Sequence, residues 1–229
     1  MNVKLMRHTL APEELVSLGA RLCYSKSNLE KLETKMTTQE QSAFVHRIMD
    51  MGHNSVLEHA SFTFGVEGVS RVLLAQLTRH RLASFSVQSQ RYVTLVGGFE
   101  YVIPPKIIAL GNEAVRRYQN QMEQMARWYN GWMKALGDDG AEDARFVLPG
   151  ACHTRLMLTM NVRELRHFFS LRCCNRAQWE IRELADKMLA LCKDVAPELF
   201  RDAGPGCVRG FCPEGEKCCG KPRKELVNG

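Results

Sequence analysis

A stretch without a single carboxylate most constrains how this chain can fold. From Gly68 to Phe99 it contains no Asp or Glu, while Arg79, His80, Arg81 and Arg91 bring three guanidinium groups and an imidazole close together. Their mutual repulsion is unfavourable unless an anion or a partner subunit supplies negative charge. Guanidinium forks fit phosphate, and the interleaved Ser and Gln side chains are neutral donors to the same ligand. The stretch therefore predicts an anion site, suited to a phosphorylated molecule.

The alternative is a solvated basic end of a helix. It is less favoured because the flanking residues are apolar rather than of mixed charge: Val69, Val72, Leu73, Leu74 and Leu77. The helix is predicted from Ser70 to about Arg79, with the arginine stretch beyond it as a loop.

Length and charge set further limits. The chain has 229 residues, enough for one large domain, and a net charge of +6, which suits anionic substrates or nucleic acid without choosing between them. No window approaches the ~18–20 apolar residues that cross a bilayer, and the N-terminus is too polar for a secretory signal. The chain has nine cysteines, an odd number, and shows no export signal. Both observations indicate that the thiols are reduced. We expect a cytoplasmic protein without a membrane partner.

Hydrophobic periodicity and capping signals predict more helix than strand. Strands are expected at 2–8, 61–67 and 154–160. Helices are expected at 12–23, from the capping box at Thr37 to Gly52, at 70–79, 115–136 and 142–146, from Asn161 onward, and at 177–195, with loops at 25–36 and 52–59. The fold class is thus α+β, a single domain over 1–200 with a mainly antiparallel sheet flanked by long helices. An irregular Cys-, Gly- and Pro-rich tail follows at 201–229.

The helix at 115–136 has the strongest periodicity in the chain. Its apolar stripe, interpreted as core or subunit interface, consists of Val115, Tyr118, Met122, Met125, Tyr129, Trp132 and Leu136.

Two segments invite a metal hypothesis. His53, Glu58 and His59 match no ligand spacing, so turn and capping roles are expected there. The tail leaves two hypotheses open, a small zinc knot or a reduced tail that packs on a neighbouring subunit. The second is favoured and no metal is predicted, because no CxxC pair or following His accompanies Cys207, Cys212, Cys218 and Cys219.

The triplet Arg79-His80-Arg81, then seven residues, Ser89 and Arg91, resembles the signature of the flavin-dependent thymidylate synthases. Three further segments resemble that family in order and spacing, and together they cover about residues 2 to 200. They are Gly52–His59, Ala144–Pro149 and the run from Asn161 to Glu180.

The resemblance implies reductive methylation of dUMP to dTMP. The carbon donor is then 5,10-methylenetetrahydrofolate, and FAD reduced by NADPH carries the hydride. The resemblance also implies a homotetramer with active sites shared between subunits and FAD at their interface.

Site residues follow from the resemblance position by position. Those implied for FAD are Ser55, Arg79, His80, Arg81, Leu82, Val87, Asn161, Val162, Arg163 and His167. Those implied for the nucleotide are Gln76, Leu77, Thr78, Arg79, Val87, Gln88, Ser89, Gln90, Arg91, Arg145 and Arg172. Arg172 is also the implied catalytic residue, because a fixed cation beside the uracil ring favours its enolate form and raises electron density at C5.

The chain departs from the family at two positions. Val87 stands where the family often has a polar or acidic side chain, so only a backbone contact is expected there. Arg176 replaces a common His and has no titratable proton near neutral pH.

Two other functions remain as alternatives. A nucleic-acid-binding protein could use the arginine stretch and the basic tail, but the stretch holds few aromatics, Phe85 and Tyr92, and no known binding module. A structural or interaction protein leaves the acid-free stretch unexplained. We therefore expect small-molecule substrates and no nucleic-acid partner.

Overall fold

The computed structural model describes residues 1–32 and 37–226. Within them, four strands form an antiparallel sheet in the order β1–β2–β4–β3. The strands are β1 Asn2–His8, β2 Ser61–Ser70, β3 Ala83–Val87 and β4 His153–Asn161. The predicted α+β class with an antiparallel sheet is confirmed.

The helices are α1 Pro12–Tyr24, α2 Leu29–Leu32, α3 Thr38–Asp50, α4 Arg71–Leu77, α5 Pro105–Ile108, α6 Asn112–Leu136, α7 Ala141–Ala144, α8 Val162–Arg172, α9 Trp179–Val195 and α10 Pro197–Phe200. Short 3-10 helices occur at Asn54–His59, Asp138–Gly140, Arg145–Val147, Gly206–Arg209, Gly215–Lys217 and Lys224–Leu226. No helix among these described residues is long and apolar enough to span a membrane.

The capping signals in the sequence place the helix starts correctly. The Thr37 hydroxyl accepts from the Glu40 N–H, and the Glu40 carboxylate accepts from the Thr37 N–H, which completes the predicted capping box of α3. Ser70 caps α4 in the same way, so that helix begins at Arg71 and ends at Leu77, two residues before the predicted end.

Three loop predictions were wrong. In the predicted loop 52–59, residues Asn54–His59 form a 3-10 helix. The arginine stretch does not continue as a loop, because residues 83–87 form β3. Their alternating burial follows Ala83, Phe85 and Val87 on one face and serines on the other, a period of two that the charge pattern obscured. In the predicted loop 25–36, Leu29–Leu32 form the short helix α2, and residues 33–36 lie outside the described part.

The chain divides into two compact units. Unit 1 comprises residues 1–2, 66–79 and 85–157, and unit 2 comprises residues 3–65, 80–84 and 158 onward. The tail belongs to unit 2; the proposed division into residues 1–200 and 201–229 stays a prediction.

The core of unit 2 contains a cluster of four aromatic rings. Phe62 packs edge-on against Phe200 at 5.6 Å between ring centroids, and Phe200 lies 5.9 Å from Phe169. Phe168 follows at 5.7 Å from Phe169. These four rings are fully buried, and edge-to-face contacts of this kind stabilise beyond their buried area. Two of these rings, Phe168 and Phe169, belong to α8, so the cluster anchors this helix in the core of unit 2.

Unit 1 is organised around α4 and α6. Leu73 and Leu77 of α4 are buried, but α6 buries only Met122 and Tyr129 of its apolar stripe. Trp132 is 53% exposed and Leu136 is 45% exposed, so these two residues are not core in the single chain. The subunit-interface interpretation of the stripe therefore remains a prediction at this end of α6.

Candidate functional site

A buried histidine lies at the centre of the predicted residues in unit 2. His80 Nδ1 is 2.8 Å from a carboxylate oxygen of Glu164, and His80 Nε2 is 3.1 Å from Nε of Arg172. His80 is 5% exposed and Glu164 is 6% exposed. The three side chains form one hydrogen-bonded chain that runs from a buried carboxylate to a cation.

The partners of His80 determine its protonation state. The Arg172 guanidinium can only donate, so Nε2 accepts and the single ring proton sits on Nδ1, where it is donated to Glu164. Burial lowers the pKa of His80 below its ordinary value; the hydrogen bond to Glu164 opposes this, and the charge of Arg172 reinforces it. His80 is therefore a neutral link that orients Arg172.

Helix α8 builds this arrangement from local sequence. Asn161 caps the helix, its side-chain oxygen accepting from the Glu164 N–H at 2.9 Å. Glu164, Phe168 and Arg172 follow at intervals of four residues and so share one face. The Phe168 ring packs 4.9 Å from the His80 ring between the two polar contacts. One helical face thus holds His80 at three points.

Glu164 belongs to this cluster, although the sequence did not single it out as a site residue. Its position three residues after Asn161 predicts a capping-box glutamate, whose side chain would turn back to the cap. Asn161 does cap the helix, but the Glu164 carboxylate points to His80 instead. A buried glutamate paired with an imidazole leaves no local signal in the sequence, since its partner lies 84 residues away.

The other residues implied for FAD in unit 2 have different surroundings. Arg163 is about half exposed and pairs with Glu58 at 2.6 Å. Val162 is fully buried and its N–H donates to the Ala60 carbonyl, so neither its side chain nor its N–H is available to a ligand. The remaining members of this set are exposed: Ser55, Arg81, Leu82 and His167.

The nucleotide loop, residues 87–91, lies in unit 1 directly after β3. The Ser89 hydroxyl accepts from the Arg91 N–H at 3.2 Å, and the Ser89 carbonyl accepts from the Val93 N–H at 3.1 Å. The Gln90 amide donates to the Cys152 sulfur at 3.7 Å. These contacts form a turn that presents Arg91 at the surface.

Arg91 and Arg145 meet at one glutamate. Arg91 Nη2 is 2.7 Å from a carboxylate oxygen of Glu142, and Arg145 Nε donates to the Glu142 carbonyl at 2.9 Å. The sequence suggested that only an anion or a partner subunit could neutralise the stretch; this was wrong for Arg91, because Glu142 comes from the distant helix α7. Arg79 and Arg81 form no salt bridge with the described residues.

Two of the residues implied for the nucleotide, at the C-terminal end of α4, are already buried or hydrogen-bonded within the chain. Leu77 is fully buried, and the Thr78 hydroxyl donates back to the Leu74 carbonyl at 2.8 Å. Arg71, which the sequence did not single out, donates to the Gln88 carbonyl at 3.4 Å and so connects α4 with the nucleotide loop.

Two cavities of the described structure have few or none of the implied residues on their lining. The larger, about 630 Å³ in unit 1, includes only Gln88 of that set on its described lining. The smaller, about 210 Å³ in unit 2, is lined by Cys207, Cys212 and Cys218 of the tail. Among the residues that the structure describes, no three His, Cys, Asp or Glu side chains are placed to hold a metal ion.

Comparison with known proteins gives a consistent result. The family described as "Thymidylate synthase complementing protein" matches residues 4–198. A flavin-dependent thymidylate synthase of Geobacter sulfurreducens is 55% identical over 225 residues, which cover 96% of this chain and 94% of the relative. One of Clostridium tetani is 45% identical, with the same coverage of 96% and 94%.

Solved structures share the fold. The flavin-dependent thymidylate synthase of Helicobacter pylori, complexed with FAD and dUMP, has a TM-score of 0.66 and 25% identity, covering 89% of this chain and 100% of that one. The UMP/dUMP methylase PolB of Streptomyces cacaoi, bound with 5-Br dUMP, has a TM-score of 0.76 and 22% identity over 87% of this chain and 92% of that one.

Proposed function

Since this chain belongs to the family of flavin-dependent thymidylate synthases, we propose that it converts dUMP to dTMP by reductive methylation. The proposed co-substrates are 5,10-methylenetetrahydrofolate and NADPH, and the cofactor is FAD. The observation that carries the proposal is the hydrogen bond from Arg172 to His80, which joins two signature segments 92 residues apart through a partly buried contact.

Arg172 acts in this proposal as the activating cation. Its Nε–H donates to neutral His80, and this hydrogen bond fixes the guanidinium in position. A preorganised cation stabilises negative charge as it develops on the uracil ring, without reorganisation during the reaction. Glu164 acts through His80 by holding its proton on Nδ1.

No protein nucleophile is needed. Burial raises the pKa of the Cys152 thiol to about 11, and burial also raises the pKa values of Cys173 and Cys192. These thiols stay protonated at neutral pH and are poor nucleophiles. The Ser89 hydroxyl is engaged by the Arg91 N–H and has no base beside it among the described residues.

The nucleotide phosphate is assigned to Arg91 and Arg145. Their shared partner Glu142 is about half exposed, and a surface ion pair of this kind contributes at most about 1 kcal/mol. A phosphate, which accepts bidentate hydrogen bonds from a guanidinium, can therefore displace Glu142 from Arg91.

The side chains in unit 2 fit an FAD diphosphate and its flanking groups. Arg81 is exposed without a carboxylate partner among the described residues, and the amide group of Asn161 keeps its NH2 donor after capping α8. When bound, FAD supplies the redox chemistry of the reaction.

The homotetramer with shared active sites is also part of the proposal. Trp128 and Trp132 on α6 are each 53% exposed, and Leu136 continues the same four-residue spacing. An exposed apolar stripe of this kind is typical of a protein–protein interface.

The direct test combines a spectrum with an assay. The purified protein should be yellow and should bleach when NADPH is added. Tritium should be released from the uracil C5 position only when FAD, NADPH and the folate are present together. A protein that neither binds FAD nor releases tritium contradicts the proposal.

Arg172→Ala tests the assigned role. We expect the variant to keep its flavin but to lose at least about a hundredfold in kcat, which corresponds to removal of one preorganised charge contact. Arg201→Ala is the matched control, because Arg201 is an exposed arginine of unit 2 that contacts only His46 among the described residues. Full activity of Arg172→Ala would refute the role.

A further inference from the structure

The tail from Gly206 to Arg223 has no part in the proposed reaction, yet it contacts the residues that follow Arg172. Arg223 Nη1 donates to the Cys173 carbonyl at 2.9 Å. The Asn175 amide donates to the Lys221 carbonyl at 2.9 Å. Arg176 Nη1 donates to the Lys217 carbonyl at 3.0 Å and lies 3.1 Å from the Glu214 carboxylate. Three consecutive parts of the tail thus bind one short segment, Cys173–Arg176.

This segment determines where α8 ends. Arg172 is the last residue of the helix and Cys173 is its C-cap. Carbonyls in the last turn lack partners within the helix, so a cation placed there both satisfies them and complements the helix dipole. Arg223 supplies that cation.

Arg223 is itself held in place. Its Nη1 lies 3.0 and 3.1 Å from the two carboxylate oxygens of Asp186 on α9, and its Nε donates to Glu225 at 2.8 Å. Its side chain is 14% exposed. The Arg223 N–H also donates to the Cys207 sulfur at 3.4 Å. A largely buried guanidinium with two carboxylate partners is held in one position, and through its hydrogen bond it fixes the Cys173 carbonyl.

Asn175, within the segment that the tail binds, is also held by α9. Arg182 Nη1 donates to the Asn175 carbonyl at 2.8 Å, so Asn175 is held from α9 through its carbonyl and from the tail through its amide. The turn between α8 and α9 is therefore held both by α9 and by the tail.

We propose that the tail, residues 206–223, is a clamp that positions Arg172. Arg223 of the tail is a positioning residue, as are Asn175 and Arg176, through which the segment 173–176 binds the tail. The proposal rests on the proposed function insofar as Arg172 acts on the nucleotide. It also gives a role to Arg176, which replaces the histidine common in the family: a longer side chain reaches both Glu214 and the Lys217 carbonyl.

Arg223→Gln is the main test, in the full-length FAD-loaded protein. It removes the cation at the Cys173 carbonyl, and we expect kcat for tritium release to fall about tenfold or more, because misplacement of a catalytic group by a fraction of an ångström is costly. FAD affinity should stay within about twofold, since the clamp does not contact the residues assigned to FAD. The KM for dUMP should change less than kcat.

Arg209→Gln is the matched control. Arg209 belongs to the same tail and donates to the Asp202 carbonyl at 3.2 Å, away from residues 173–176. It loses the same charge as Arg223→Gln. Equal effects of the two substitutions on kcat would overturn the proposal.

Hydrogen exchange provides a readout that does not depend on activity. Amides of 173–178 should exchange faster in Arg223→Gln than in the wild type, and should be unchanged in Arg209→Gln. If Arg223→Gln fails to fold, Arg176→Gln replaces it, because Arg176 is exposed and its two tail contacts can be removed without opening the core.

The possible outcomes separate the two proposals. Absence of tritium release by the wild type refutes the proposed function, while the exchange data still decide whether the tail holds 173–178. Unchanged exchange in both clamp variants overturns the clamp even if the enzyme is active.

Discussion

The charge state of His80 determines whether its ring can accept the hydrogen bond from Arg172. While the ring is neutral, Nε2 accepts from Arg172; a protonated ring has no acceptor there and repels the guanidinium. Burial lowers the pKa of His80, so the neutral form persists below the ordinary titration range. The pair therefore stays intact at neutral pH.

The lowered pKa of His80 predicts that the folded protein becomes less stable as the pH is lowered. The unfolded chain takes up the His80 proton near pH 6.5, whereas the folded chain takes it up only at lower pH. Between these values the unfolded state binds more protons, so the free energy of unfolding falls as the pH is lowered, by up to about 1.4 kcal/mol per pH unit. The contribution of neutral His80 to the free energy of unfolding is fully present above pH 6.5.

Urea unfolding at pH 7.5, 6.5 and 5.5 checks this expectation. His80→Gln retains an oxygen that can accept from Arg172 but cannot titrate in this range, so its pH dependence should be shallower than that of the wild type. Parallel pH profiles for the two proteins would contradict the assignment.

Glu142 is predicted to compete with the substrate phosphate for Arg91. Glu142→Gln should tighten dUMP binding by up to about fivefold, the equivalent of the roughly 1 kcal/mol that a surface ion pair contributes. Isothermal titration with dUMP measures it.

Asp143→Asn is the control for Glu142→Gln, because it removes the same charge from the adjacent exposed residue of α7. Weaker dUMP binding by Glu142→Gln than by this control would show that Glu142 orients Arg91 rather than competing for it.

At the scale of elements, α8 carries the capping residue, the buried glutamate and Arg172, the arginine proposed to activate the substrate. Its start could be predicted from Asn161, because a capping side chain three residues before Glu164 is a local signal. Strand β3 could not be predicted as readily, since it has only five residues and two of them are serines. Short strands are decided by their partners, and Gln88 at the end of β3 donates its N–H to Arg155 in β4 at 2.9 Å.

Asn161→Ala should destabilise the protein by about 1 kcal/mol through loss of the cap on α8. Asn161→Asp keeps a capping oxygen and favours the helix dipole, so it should unfold close to the wild-type midpoint while its negative charge weakens FAD binding. Denaturant unfolding and flavin titration of both variants measure the two effects separately. Equal stability of the Ala and Asp variants would exclude a capping role.

At the scale of the whole molecule, the exposed stripe of α6 is predicted to hold subunits together. Trp128→Glu combined with Trp132→Glu should dissociate the proposed tetramer, because two indoles that the proposed interface would bury are replaced by charges that resist desolvation. Sedimentation velocity measures the assembly state.

Lys134→Glu on the same helix is the matched control, being exposed and outside the stripe. A double variant that sediments like this control and like the wild type would remove α6 from the interface.

The sequence by itself determined the α+β class, most helix starts and the family, because capping, periodicity and ordered motifs are local or linear properties of the chain. It did not determine the counter-ion of Arg91, the buried pair Glu164–His80 or the contact of Arg223 with Cys173. The last two join residues 84 and 50 positions apart. Only packing decided those contacts, since a buried polar group must find a partner wherever the fold brings one within hydrogen-bond distance.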